Sequence, residues 1–346
     1  MLMFALISQA LPCAYLLTTD QGALAVSDAQ EVILESNEVG VKTSYRIQYE
    51  GDAESFGWLV VVRGTVGEGD VTETDESIFD TLRERSQPRL IQTEVESGGG
   101  VGLGCGGMAS KSDGNFAADE ELRVEVTAQG FAGPFAYQVL SAESGEALSG
   151  WLDSEGFALG DTEQTIDEYI SEGGYSFVAV TLTPDSAETP DGGRTLPALS
   201  IQSDASELHF PARMASSSMA QTQRTTVFVL GGNTANVESG WGMTEMNYID
   251  SQGEEALVAF EDVLLSEGSA GVPAYLRTYS GSYENLWLTR FDTLAPRVAH
   301  TVDPIFGFEE EQYAFTTQIE VYDNDSSAMW LLLPLIGLGA VRRRRD

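Results

Sequence analysis

The chain reads as an α+β protein, β-rich, with mainly antiparallel sheets, a few short helices and one C-terminal transmembrane helix. Three observations predict this class. Short apolar runs and alternating patterns recur from Glu31 to Tyr322, stripes at helical spacing are few, and an apolar run, Ala328–Val341, is closed by Arg342–Arg345. At 346 residues and 42% hydrophobic content, the chain can bury one large core or two modest ones. No fixed-period repeat is visible, which argues against a solenoid or a propeller.

Residues 1–10, MLMFALISQA, form a short apolar run ending in Ser8-Gln9-Ala10, which fits a small-x-small cleavage site and reads as a signal peptide without a basic n-region. The alternative is an internal strand. Residues 11–97 are read as an N-terminal β-rich unit. From Glu31 to Glu50 the pattern is that of a half-buried strand, with Val41, Thr43, Tyr45, Ile47 and Tyr49 on one face and Lys42, Ser44, Arg46 and Gln48 on the other. Gly51-Asp52 turn the chain, and Phe56–Val62 is apolar on both faces, as a central strand requires. A short helix starts at Asp75, shows a stripe of Ile78, Phe79 and Leu82, and stops before Pro88. Arg89–Val95 returns as a strand.

Residues 98–118 form a Gly-rich loop or linker; Ser97–Gly107 reads SGGGVGLGCGG and is followed by MASKSDG. A phosphate-binding reading fails there, because no lysine with serine or threonine closes the glycines and the flanks are acidic. Residues 119–322 are read as a larger β-rich α+β unit. Leu122–Val126 and Phe135–Ala142 are strands, joined through Gly130 and Gly133-Pro134. Ser144 caps a helix with Ala147, Leu148, Trp151 and Leu152 on its stripe, and Thr162 caps another with Ile166, Tyr169 and Ile170, ending at Gly173-Gly174. Strands follow at Tyr175–Leu182, Leu199–Gln202, Arg224–Leu230, Glu245–Ile249, Glu284–Arg290 and Tyr313–Tyr322. Glu254–Leu265 carries Leu257, Phe260 and Leu264 at helical spacing.

Net charge is −36, with Lys42 and Lys111 the only lysines. Such a surface repels phosphate backbones, so no nucleic-acid partner is expected. Dense carboxylates fit a high-salt habitat, plain solubility of an exposed protein, or a cationic partner such as calcium. Asp323, Asn324 and Asp325 are the metal candidates, with Asp113-Gly114-Asn115 beside them, and neither group has the twelve-residue EF-hand pattern. No other cofactor is expected. Cys13 and Cys105 are the only cysteines, and in an exported chain they suggest one disulfide of roughly 4 kcal/mol; two free thiols are the alternative.

No catalytic residue is assigned. The two histidines, His209 and His300, read as a packed strand residue and a loop residue, and neither has the partners of a zinc site or a serine triad. Among 54 acids, a pair such as Asp167 and Glu168 reads as solvated helix surface before it reads as a glycosidase pair.

Several strings resemble the bacterial family called domain of unknown function 2330. They are Gln30-Glu31-Val32, Tyr49–Val60, Ile78–Leu82, Gln87-Pro88-Arg89, Trp151-Leu152, Gly156-Phe157, Thr195–Leu199, Leu208–Met214, Leu288–Thr293 and Asp303–Phe306. Their order and spacing run from about Cys13 to Phe306. The resemblance implies a secreted or membrane-anchored protein of unassigned activity, with a signal peptide and a C-terminal apolar segment ending in arginines. Two departures stand out: the basic N-terminus is missing, and a cysteine cluster near the glycine loop is reduced to Cys105.

The tail also resembles bacterial sorting signals, so an envelope sorting protease is a candidate partner, although Tyr322–Ser326 holds no recognisable recognition motif. The anchor residues are Trp330, Leu331, Leu332, Leu333, Leu335, Ile336 and Leu338, with Arg342, Arg343, Arg344 and Arg345 in a basic cytoplasmic end, residues 342–346. As a helix, residues 328–341 span roughly 21 Å, short of the roughly 30 Å hydrocarbon core. The expected protein is a single-pass cell-envelope protein with its N-terminal mass outside the cytoplasm, a non-enzymatic binding or structural ectodomain of unknown ligand. The alternatives are an exported carboxylate-dependent hydrolase and a calcium-dependent adhesion module.

Overall fold

The computed structural model describes residues 15–18, 29–49, 56–93, 124–157, 162–182, 194–195, 198–216, 222–246, 248–251 and 274–322. The first part of the chain forms β1 (Tyr15–Thr18), β2 (Ala29–Ser36), β3 (Val41–Tyr49), β4 (Phe56–Arg63), β5 (Val71–Thr74), α1 (Ser77–Arg85) and β6 (Arg89–Thr93). The middle forms β7 (Val124–Ala132), β8 (Phe135–Ala142), α2 (Gly145–Ser154), α3 (Glu163–Glu172), β9 (Tyr175–Leu182), β10 (Arg194–Thr195), β11 (Ala198–Ser203), β12 (Leu208–His209) and α4 (Ala212–Ser216). The last part forms β13 (Thr222–Gly231), β14 (Ala235–Ser239), β15 (Gly242–Glu245), β16 (Tyr248–Ser251), β17 (Ala274–Tyr283), β18 (Leu286–Pro296), β19 (Ile305–Phe308), β20 (Phe315–Thr316) and β21 (Gln318–Tyr322).

Two large sheets carry the fold. A five-stranded antiparallel sheet has the order β1-β4-β9-β8-β7, and a ten-stranded sheet runs β15-β17-β18-β13-β2-β3-β11-β5, with β10 on β3 and β20 on β17. The larger sheet is mainly antiparallel, with parallel pairs at β13–β2 and β15–β17. Smaller sheets, β12-β19-β14 and β16-β21-β6, complete it. Strands from residues 15–93 and from residues 124–322 pair within both large sheets, at β4–β9 in the smaller and at β13–β2, β3–β11 and β11–β5 in the larger. Described residues of the expected units at 11–97 and 119–322 thus lie in the same sheets.

Alternation explains the layers. Trp58, Val60, Phe135 and Tyr137 of the five-stranded sheet share one core with Val32, Leu34, Tyr45 and Leu199 of the larger sheet, and Trp58 stacks on Phe135 at 5.6 Å. The opposite face of the small sheet, with Leu59, Val61 and Phe177, is covered by Leu148 and Leu152 of α2 and Ile166 and Tyr169 of α3. On the far face of the large sheet, Phe79 and Leu82 of α1 pack on Ile33 and Phe228. Central β4 is buried on both faces because it has cores on both sides.

Several local expectations meet corrections. Glu31–Glu50 is two strands: the Asn37 carboxamide oxygen accepts from the Val39 and Gly40 amides, and Gly40 sits at φ +150°, so the chain reverses there. The strand expected to begin at Glu284 begins at Leu286, since Glu284 lies in the hairpin turn with φ +51°, and it continues to Pro296, paired with β17 as far as Asp292 and with β13 to its end. The expected strand Glu245–Ile249 is divided between β15 and β16, and Tyr313–Tyr322 is divided between β20 and β21. Thr162 precedes α3 without a side-chain cap, whereas the Ser144 hydroxyl accepts from the Ala147 amide as expected.

Among the described residues, no helix is long and apolar enough to cross a membrane. The expected helix over residues 328–341, with Trp330 to Leu338 and Arg342–Arg345, lies outside the described residues. So do Cys13 and Cys105, the residues 1–10 and 98–118, the helix Glu254–Leu265, and Asp323, Asn324 and Asp325.

Candidate functional site

One buried polar cluster joins three elements distant in sequence. His209 ends β12, Arg213 lies in α4, and Asp303 precedes β19, whose Phe306 and Ile305 pair with Leu208 and His209. The strand pairing thus brings the histidine and the aspartate side by side. His209 Nε2 lies 3.0 Å from Asp303 Oδ2, and both side chains are almost fully buried. The Arg213 amide donates to Asp303 Oδ1 at 2.8 Å, while its Nε and Nη2 donate to Oδ2 at 3.1 and 3.0 Å. Both oxygens of the buried carboxylate are therefore occupied.

Burial pushes the Asp303 carboxyl up, but the hydrogen bond and charge of His209 and the donors of Arg213 outweigh it and hold it below its usual range. The other end of Arg213 reaches α3. Its Nη1 and Nη2 donate to Glu172 at 2.6 and 2.8 Å, Nη1 meets Glu168 at 3.3 Å, and the guanidinium lies 4.2 Å over the Tyr169 ring. Burial opposes the charge on Arg213, and the contacts with Glu172 and Asp303 outweigh it, so its pKa is raised.

Two tyrosines complete the cluster. The Tyr169 hydroxyl is buried without a well-aligned partner, and burial followed by the charge of Asp303 pushes its pKa well above the ordinary value. Tyr175 is half-buried and pushed up to about 12, chiefly by burial, so its hydroxyl stays protonated at neutral pH. It packs edge-on to His209 at 5.3 Å and carries Arg63 over its ring at 4.8 Å. With Nε2–H assigned as the donor to Asp303, His209 Nδ1 is left buried and unpartnered. A neighbouring cavity of about 10 Å³, lined by Tyr45, Arg63, Glu207 and His209, is at the lower limit for one water molecule.

Chemically, this arrangement is a clamp. One guanidinium ties α3 to the loop before β19 through Glu172 and Asp303.

Two further buried clusters pair their charges within the chain. Asp292 is fully buried and accepts from Thr226, Thr278 and the Nε and Nη2 of Arg290 at 2.7 to 2.9 Å; burial raises its pKa, and the charge and hydrogen bonds of Arg290 outweigh it. Arg277 donates to Glu245, Glu309 and the Ala235 carbonyl. Among the described residues, no group of three or more His, Cys, Asp or Glu is arranged to hold a metal.

Of the residues singled out from sequence, His209 is the packed β12 residue described above. His300 is buried elsewhere on the same loop, its Nδ1 donating to the Pro296 carbonyl at 3.1 Å and its ring edge-on to Trp241 at 5.0 Å. Asp167 and Glu168 take separate structural roles: Asp167 accepts from the Gly145 amide at the start of α2, and Glu168 meets Arg213. Asp303, Arg213 and Tyr169 were not singled out as a site. The signal for them is a charge set inside an apolar string, in Leu208–Met214 and in Asp303–Phe306.

No curated protein matches the chain. Among solved structures, a mutated baculovirus P35 after caspase cleavage is similar at 8% identity, covering 84% of this chain and 100% of that chain, with a TM-score of 0.30. A likeness that weak carries no argument. The family described as an uncharacterized protein conserved in bacteria, DUF2330, matches residues 8–285, a span that includes the small sheet, most of the large sheet, and His209 and Arg213, and the chain belongs to that family.

Proposed function

We propose that the protein is an exported, non-enzymatic binding or structural ectodomain of the bacterial envelope, held at the membrane by residues 328–341 with the Arg342–Arg345 end in the cytoplasm. The observation that carries the non-enzymatic part is the saturation of the buried carboxylates. Asp303 and Asp292 are saturated by donors from their own chain, and two cavities among the described residues hold about 80 and about 10 Å³. Small-molecule sites usually enclose roughly 300–1,000 Å³. Recognition is therefore assigned to the outer surface, on a chain whose net charge is −36.

Export and anchoring rest on the sequence of the two ends. Fractionation with added protease on intact and permeabilised cells tests them: the main body should be degraded from outside and recovered with membranes. Intact protein in the cytoplasmic fraction would overturn the proposal of export. Turnover of a glycan or peptide panel, abolished by a single carboxylate substitution, would overturn the non-enzymatic reading.

A further inference from the structure

We infer that the open half of the small sheet's outer face, beside α2, is a docking groove for a polypeptide segment with an aliphatic anchor flanked by lysines or arginines. Helices α2 and α3 cover only part of this face. One row across it runs Phe131–Ala136–Thr181–Gly57 through β7, β8, β9 and β4, and the next runs Gln129–Gln138–Ala179–Leu59. The floor between the rows is made of small side chains, Ala136 and Ala179. Trp151 and Leu152 of α2 and Phe157 beyond it wall a slot of about 80 Å³, enough for one aliphatic side chain. Phe157 closes the far end over Gly57, where a Cβ would lie 3.1 Å from its ring.

The near end of the groove is apolar and uncovered. Phe131 is 76% exposed and Val126 40% exposed. Five positions apart, they would point to opposite faces of a regular strand. A bulge at Thr127, where the register shifts between Val126↔Leu140 and Ala128↔Val139, brings both to the groove face. A large aromatic left in water beside an apolar slot, on the outermost strand of its sheet, is the pattern of an interaction surface.

Charge identifies the occupant. In the described elements of this layer, β1, β4, β7, β8, β9, α2 and α3, Arg63 is the one basic residue, and it is engaged by the Gly173 carbonyl and Glu207. Exposed Glu146, Asp153, Glu155 and Glu163 lie on or beside α2 and α3 next to the groove, and Glu155 lines the slot itself. An apolar slot in a single-sign field selects an anchor with basic neighbours and speeds its encounter.

This inference rests on the binding reading above, and its test separates the two. The full chain is titrated with a fluorescent peptide of alternating leucine and lysine blocks, a leucine–glutamate counterpart and a lysine–serine control, followed by fluorescence anisotropy. The leucine–lysine peptide should bind at least tenfold more tightly than either control, and more weakly as salt rises. Phe131→Ser and Ala136→Leu, the second filling the slot, should each weaken it at least tenfold with an unchanged melting temperature. Equal binding by the wild type and Phe131→Ser would overturn the inference, since the peptide would then be held by acidic surface elsewhere. A wild-type dimer that Phe131→Ser makes monomeric in sedimentation would also overturn it, by making a second copy the occupant. Cleavage of the peptide, read by mass spectrometry, would instead sink the non-enzymatic reading.

Discussion

Lowering the pH should destabilise the protein in a window set by His300, which opens above the carboxylate range. Burial lowers the pKa of this imidazole from 6.5 to about 4, against the opposing pull of its hydrogen bonds and of Asp303. Because the folded value is depressed, the unfolded chain takes the proton first as pH falls. Stability is full above about pH 7, declines between about 6.5 and 4, and has lost about 3 kcal/mol from this group once the folded form is also protonated. Near pH 5 the slope is about 1 kcal/mol per pH unit, and the loss from pH 7 to 4.5 is about 2 kcal/mol. His300→Phe keeps a ring against Trp241 but forfeits the Nδ1 donor to the Pro296 carbonyl. The variant should therefore be less stable at pH 7 by about 1 kcal/mol and show a flatter decline down to pH 4.5. Urea unfolding followed by tryptophan fluorescence at pH 7.5, 6.5, 5.5 and 4.5 measures both curves. Parallel curves for the wild type and the variant would refute the assignment of the acid loss to His300.

Asp292→Ala leaves Arg290 buried without its counter-charge, so the unfolding free energy should fall by about 3–5 kcal/mol in urea titrations. Gly240→Ala should cost about 2 kcal/mol or more, seen as a lower melting temperature, because Gly240 has φ +83° and an added Cβ would clash with the Asp303 carbonyl oxygen. Ser144→Ala removes the acceptor for the Ala147 amide and should cost about 1 kcal/mol by the same measurement, with Ser144→Asp retaining most of it. Below about pH 4, Asp303 and Asp292 add a second phase of acid loss. Their folded pKa values are depressed, so the stability they contribute is present above their unfolded values and is lost as pH falls through the folded ones.

Much of the fold was legible wherever local pattern and burial agree. Phe56–Val62 reads as central because it is apolar on both faces, and β4 has a core on each side. Ser144 and the stripe Ala147, Leu148, Leu152 read as a capped helix and form one, because a cap and its helix lie within four residues of each other. The misread segments are those where a turn or a pairing decides. Asn37–Gly40 divides one alternating run into two strands through hydrogen bonds from the Asn37 side chain, and Glu284 in a positive-φ turn moves a strand boundary that composition alone places two residues early.

By itself, the amino-acid sequence determined the β-rich class, the family, the acidic surface and most helix positions, because propensity, periodicity and composition are local or additive. The tertiary structure alone decided what the charged residues inside apolar strings do. His209, Arg213 and Asp303 lie up to 94 residues apart and become one saturated clamp only when β12 pairs with β19. The same holds for the surface groove: Val126 and Phe131 share a face only because of a bulge, and Phe157 meets Gly57 only across the sheet. Burial and strand register are properties of the assembled chain, and a carboxylate's partners follow from them.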